Sequence, residues 1–169
     1  MKNVYTFFLL AQCLLIIAGC SYKIKGKHTV ICFDNTSDKY LYVFSQTKKN
    51  TDTDTLCEHY SAFGQKMYHV PQNTKNETAL HLREWDTYED RMPSCDYLAV
   101  FVWDRDSVTV TQYKDGVTYK GPILVRYDLT LDDMFFLEWT VSFPPNERMR
   151  GIHMWPSYEE LVEKYGRHP

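Results

Sequence analysis

Apolar and polar positions alternate along most of this chain with the two-residue period of half-buried strands, and the breaks in that alternation mark its turns, helices and leader. The longest apolar stretch comes first. Residues 4–17 are interrupted only by Thr6 and Gln12, follow Lys2, and give way to Ala18-Gly19 ahead of Cys20. A positive start, an apolar run too short for a comfortable transmembrane helix and a small-residue end have the build of a secretory signal.

Beyond the leader the strand pattern dominates. Residues 28–33 and 39–45 read as strands, and Asp34-Asn35-Thr36-Ser37-Asp38 between them is a cluster whose side chains bond their own backbone in turns, so a hairpin is expected there. In the second run Tyr40, Tyr42 and Phe44 fall on one face and Leu41 and Val43 on the other, as in a strand covered on both sides. Residues 46–55 are Lys, Asn, Thr and Asp almost throughout and read as a loop. A short strand over 66–70 stops at Pro71, residues 72–77 form a polar turn, and 78–82 alternate again. Trp85, Tyr88 and Met92 have helical spacing before Pro93, which predicts one or two helical turns.

Tyr97-Leu98-Ala99-Val100-Phe101-Val102-Trp103 carries no charge and is bounded by Asp96 and Asp104, which predicts the central strand. Residues 107–113 and 117–119 flank the turn dipeptide Asp115-Gly116, giving a second hairpin, and 123–127 a further strand. Thr130 with Asp133 resembles a capping box and opens a helix over 131–137. Residues 138–143 return to alternation and stop at Pro144-Pro145, as an edge strand does. After an irregular stretch to Trp155, Ser157 and Glu160 cap a last helix with Leu161 and Tyr165 on one face and Gly166 at its end.

Composition agrees with a β-rich reading: 13 Tyr, 9 Phe and 4 Trp are side chains that favour pleated surfaces and wide cores. The net charge of −3, with acids and bases interspersed, carries no nucleic-acid footprint. The length after residue 19 suits one domain. The expected architecture is therefore mainly β, a single-domain antiparallel β-sandwich or twisted sheet with one or two short helices. Its organisation is a signal over 1–19, a tether over 20–27 and the β-rich domain over 28–169.

Ile17-Ala18-Gly19-Cys20 resembles the lipobox of bacterial lipoproteins, which implies acylation of the Cys20 thiol, cleavage before it, and membrane attachment through the lipid. The body adds a second resemblance. Ser94-Cys95-Asp96-Tyr97-Leu98-Ala99-Val100-Phe101-Val102-Trp103-Asp104, the run from Ile123-Leu124-Val125-Arg126-Tyr127-Asp128-Leu129 into Leu137-Glu138-Trp139-Thr140-Val141-Ser142-Phe143-Pro144-Pro145, and Met149-Arg150-Gly151-Ile152-His153-Met154-Trp155-Pro156-Ser157-Tyr158 are similar to motifs of a family of small, functionally uncharacterised lipoproteins of gut Bacteroidota. That resemblance implies an envelope location and a mostly β body, and lends no activity. In such bacteria, surface-exposed lipoproteins often carry acids just after the lipidated cysteine. Lys23, Lys25 and Lys27 stand there instead, so an outer-membrane anchor facing the periplasm is expected.

Candidate chemistry is sparse. In an oxidising compartment Cys57 and Cys95 form the candidate disulfide, Cys32 lying inside a strand run, while three reduced cysteines are the alternative. Trp155 and Trp85 are the candidate stacking platforms for a sugar ring, against the ordinary role of core aromatics. Asp54-Thr55-Leu56 and Asp106-Ser107-Val108 match an Asp-Ser/Thr-aliphatic O-glycosylation sequon at Thr55 and Ser107. Asp104-Arg105-Asp106 lacks the glycine and distal glutamate of a calcium loop and reads as strand punctuation. Glu84, Asp86, Glu89 and Asp90 read as a solvated face rather than a glycosidase pair. Cys57 and His59 are sequence neighbours, not a nucleophile and base assembled by folding. The expected role is a lipid-anchored, non-enzymatic envelope module that binds a glycan or a protein, without cofactor or metal and with no assigned catalytic residue. The alternative is an envelope hydrolase acting on glycan or peptide.

Overall fold

The uncharged run becomes the strand on which the rest is built. The computed structural model describes residues 27–48, 59–63, 66–82 and 87–166, with the side chains of 59–63 and of Thr78 left aside. In it, β6 (Tyr97–Asp104) lies between β2 (Leu41–Lys48) and β8 (Gly116–Leu129) in a seven-stranded sheet ordered β10-β8-β6-β2-β4. There β4 is Tyr68–Val70 and β10 is His153–Trp155. Leu98, Val100 and Val102 of β6 enter one core, and Ala99, Phe101 and Trp103 enter a second on the opposite face. A strand buried on both faces needs apolar residues at every position, which is why this run carries no charge.

A three-stranded sheet, β5-β1-β9, covers the first face. It joins β5 (Thr74–His81), β1 (Val30–Asn35) and β9 (Thr140–Phe143). Strand β1 is antiparallel to β5 and parallel to β9, the one parallel pair among the described residues. Ile31, Phe33, Val141 and Phe143 from this sheet meet Leu41, Val43, Val125 and Tyr127 from the larger one, so the body is a mainly β sandwich. The Tyr127 hydroxyl crosses the core to donate to the Ser142 carbonyl at 2.8 Å, and complete burial holds its phenol well above the usual pKa.

The larger sheet curls over its own outer face. Residues 117–119 and 123–127, read from sequence as two strands, are one strand β8 of 14 residues that runs straight through Gly121-Pro122. Its first half pairs with β3 (His59–Phe63) and β7 (Thr109–Tyr113), its second half with β6 and β10. A Cβ at Gly121 would lie 2.8 Å from the Ser107 carbonyl oxygen, so only glycine lets β8 pass the β6–β7 connection. A register shift at the Val102/Trp103 step of the β6–β8 ladder breaks the alternation, so Ile123 packs on the second core and Leu124 on the first. The hairpin at Asp115-Gly116 forms as β7–β8, with Tyr113 opposite Gly116.

The hairpin expected between residues 28–33 and 39–45 does not form: β1 and β2 belong to different sheets. Asn35 turns the chain from one to the other. Fully buried, it donates through Nδ2 to the carbonyls of Lys39 at 2.8 Å and Pro71 at 2.9 Å, and accepts at Oδ1 from the Ser37 hydroxyl at 2.7 Å and amide at 3.1 Å. The turn-forming residues are used as read, but to build a corner. Strand β5 also starts earlier than expected, at Thr74, with Asn73, Asn76 and Leu80 at positive φ accommodating irregular pairing with β1.

Three short helices complete the body: α1 (Tyr88–Arg91), α2 (Leu131–Phe136) and α3 (Tyr158–Tyr165). Both expected capping boxes are present, Thr130 with Asp133 and Ser157 with Glu160. Helix α2 ends in Glu138 and Trp139 at φ 52 and 60, a tight reversal that sends the chain into edge strand β9. Among the described residues no helix is long and apolar enough to cross a membrane.

Candidate functional site

Three residues before α3 the chain adds a short edge strand, β10, to β8, with His153 opposite Asp128 and Trp155 opposite Arg126. Trp155 is the last residue of the hydrogen-bonded strand β10, and Ser157, two residues on, caps α3. It is half-buried, as is Pro156. Together they form one wall of a cleft of about 380 Å³. Ile123 and Leu124 of β8 supply the floor, and Leu161, Lys164 and Tyr165 of α3 the opposite side. The cleft is therefore mainly apolar and aromatic, with charge at its rim. The Lys164 ammonium lies 5.1 Å from the centre of the Tyr165 ring. Glu160 also lines it, its carboxylate accepting the Ser157 hydroxyl at 2.7 Å and amide at 2.8 Å, which hold the acid below the usual carboxylate range.

Cross-strand neighbours share a sheet face, so Trp155 continues into a polar row of which Arg126 is the next member. Arg126 is only 5% exposed. Its Nε donates to Asp128 Oδ1 at 2.7 Å and its Nη2 to the Tyr97 hydroxyl at 3.2 Å, and its guanidinium carbon lies 5.7 Å from the centres of the Tyr97 and Phe101 rings. The other Asp128 oxygen is 2.9 Å from Nδ1 of His153, a side chain 81% exposed. A buried cation, a half-buried anion and an exposed imidazole thus lead from the core to the surface beside Trp155. Such a set offers hydrogen-bond donors and acceptors to a polar ligand whose apolar face rests on an aromatic ring.

A second hollow, of about 200 Å³, lies by Asp34, Asn76, Glu138, Asn146 and Arg148. Two carboxylates line it, and each has a partner: Asp34 Oδ1 accepts the Asn76 amide at 2.7 Å, and Glu138 lies 3.4 Å from Arg148. The Arg148 guanidinium also donates to the Phe136 carbonyl. These contacts hold the positive-φ residues Asn76 and Glu138 in place.

The remaining sequence candidates are distributed. Cys20, Thr55, Cys57, Trp85, Glu84 and Asp86 lie outside the described residues. Cys95 is a half-buried free thiol 3.5 Å from the Arg91 carbonyl oxygen. Cys32 is also a half-buried free thiol, not the enclosed group expected of a strand interior, because it faces away from the core between Ile31 and Phe33; desolvation, with Asp34 nearby, raises its pKa. Ser107 is exposed at the end of the turn Arg105–Ser107. Asp104 closes β6 as strand punctuation, accepting the Lys39 ammonium at 2.5 Å and the Asp106 amide at 3.1 Å, while Arg105 covers the Tyr40 ring at 4.2 Å. Glu89 and Asp90 hold the entering chain: Glu89 accepts the His28 amide and ring, and Asp90 the Lys27 ammonium, whose hydrogen bond draws the Asp90 pKa down.

Sequence reading named Trp155 but missed Arg126, Asp128 and His153. The two-residue spacing of Arg126 and Asp128 inside a strand put both on one face; nothing local announced that His153 would join them. Searches against family models, curated proteins and solved structures returned no match to this chain.

Proposed function

We propose that the protein is a lipid-anchored module of the bacterial cell envelope, held on the outer membrane by acylated Cys20 and facing the periplasm, that binds a glycan through the Trp155 cleft without catalysing a reaction. The anchor rests on Ile17-Ala18-Gly19-Cys20 and the lysines that follow. The ligand class rests on one observation above the others: a half-buried tryptophan at the junction of β10 and α3 walls an aromatic cleft that Lys164 also lines, and on its strand it stands opposite Arg126, the first of the Arg126–Asp128–His153 row. A pyranose has one apolar face for the indole and hydroxyls for the polar groups. The rival reading, an envelope hydrolase, draws support from Asp34 and Glu138 in one hollow, although both acids are engaged in holding the backbone there.

Two measurements on the full chain test the two halves of this reading. Labelled palmitate should enter the wild-type protein and be absent from Cys20→Ala; equal incorporation defeats the anchor. An array of envelope oligosaccharides should yield binding with unchanged glycans, and cleavage products that disappear in Asp34→Asn would establish the hydrolase instead.

A further inference from the structure

The point at which the chain enters the domain is fastened unusually well for the start of a fold. The Tyr88 amide donates to the His28 carbonyl at 2.9 Å, the His28 amide donates to Glu89 at 2.8 Å, and Lys27 pairs with Asp90 at 2.7 Å. The His28 ring stacks on Trp139 at 4.0 Å between centres, its Nδ1 is 2.6 Å from Glu89, and Phe135 meets it edge-on at 6.1 Å. Position 27 is therefore tied to α1 and the end of α2.

On that same face stand two of the large apolar side chains left in water. Phe135 is 49% and Phe136 60% exposed, although they are adjacent on a short helix. Phe135 leans on Trp139 at 5.4 Å, and the Arg148 guanidinium lies 5.5 Å from the Phe136 ring. Met134 buries the opposite side of α2, and the contacts of the two phenylalanines leave about half of each ring in water. Adjacent exposed aromatics of this kind mark surfaces that meet something apolar.

The length of chain before the domain identifies what they meet. Lys27 stands seven positions after Cys20, a reach of about 25 Å at full extension. We infer that, given the Cys20 anchor proposed above, the Phe135–Phe136 face lies against the bilayer, with both rings in the interface. Lys23 and Lys25 of the tether add cations for an anionic lipid surface, while Lys27 and Arg148 are paired with Asp90 and Glu138. Of the acids nearest in sequence, Glu138 pairs with Arg148 at 3.4 Å, and Asp132 and Asp133 sit in the first turn of α2, where Asp133 is held in the capping box. Aromatic rings in the interface and an acyl chain together hold a domain in one orientation, which an acyl chain on a loose linker does not.

A photo-crosslinking experiment decides this. The full lipidated chain, carrying p-benzoylphenylalanine at position 136, is placed in vesicles of phosphatidylethanolamine and phosphatidylglycerol and irradiated. A second chain carries the same group at position 113, where Tyr113 is 55% exposed in the β7–β8 hairpin, at the far end of the 14-residue strand that leads to α2. Lipid adducts should form at 136 in several-fold excess over 113. Equal yields at the two positions, or no adduct at 136 on a chain whose N-terminal peptide carries the lipid mass, overturn the orientation and leave the anchor standing. An N-terminal peptide without the lipid mass overturns both.

Discussion

Asn35→Leu lowers the unfolding free energy by about 3 kcal/mol, since buried backbone and hydroxyl groups left without partners cost about 1–3 kcal/mol each. The side chain is fully buried and reaches from the end of β1, in the smaller sheet, to the larger one: the Lys39 carbonyl lies just before β2, and the Pro71 carbonyl just after β4. Ser37 depends on it as well, through both its amide and its hydroxyl. Leucine has similar volume and no polar atoms, so packing changes little while these groups lose their partner. Asn35→Asp separates hydrogen bonding from size. It keeps an acceptor for Ser37 but places a carboxylate against carbonyl oxygens, which raises its folded-state pKa. Its deficit relative to wild type should therefore be largest at neutral pH and shrink as the pH falls towards about 4, where the unfolded-state acid also protonates. Urea unfolding at several pH values checks both variants. A Leu variant within experimental error of wild type would show that Asn35 does not hold the corner between the sheets.

Asp128→Ala produces the second large loss, about 3 kcal/mol, by taking the carboxylate from a buried guanidinium. Arg126 and Asp128 have side chains only 6% and 12% exposed, and the Nε–Oδ1 distance is 2.7 Å. Arg126 keeps Tyr97 and the rings around it, so the fold survives with an under-compensated charge inside. Asp128→Asn retains an oxygen acceptor and should lose less. His153→Ala should leave stability nearly unchanged, because His153 is an exposed partner, yet weaken glycan binding if the row serves the ligand. Thermal and urea unfolding of the three variants, with glycan titration of each, separates these roles. Equal destabilisation by Asp128→Ala and His153→Ala would contradict the arrangement described.

What could be read from sequence was local. Residues 97–103 announced a doubly covered strand because burial on both faces leaves no polar position, and they form β6. Thr130 with Asp133 and Ser157 with Glu160 announced helices because a capping box closes within four residues. The sandwich class followed from alternation and aromatic content. The placement of β1 and β2 in separate sheets did not, since the same Asp34–Asp38 residues suit a hairpin turn or a corner. The choice lies in contacts between Asn35 and Pro71, far along the chain. Strand β10 was missed because three residues are too few to show a period. Trp155 was singled out for its irregular, proline-flanked setting, but its cleft needs Ile123 and Leu124, and a register shift that no alternation rule anticipates puts Leu124 on the same core as Val125.

The cleft is tested most directly by titrating the full chain and its Trp155→Ala and Trp155→Phe variants with an oligosaccharide recovered from the array. Removing the ring should weaken binding at least about tenfold, in keeping with about 1.4 kcal/mol or more for a stacked aromatic contact. Phenylalanine should restore part of the affinity, and all three proteins should melt within a few degrees of one another. Affinities unchanged by Trp155→Ala, in a variant that melts like the wild type, would contradict a ligand site at this cleft.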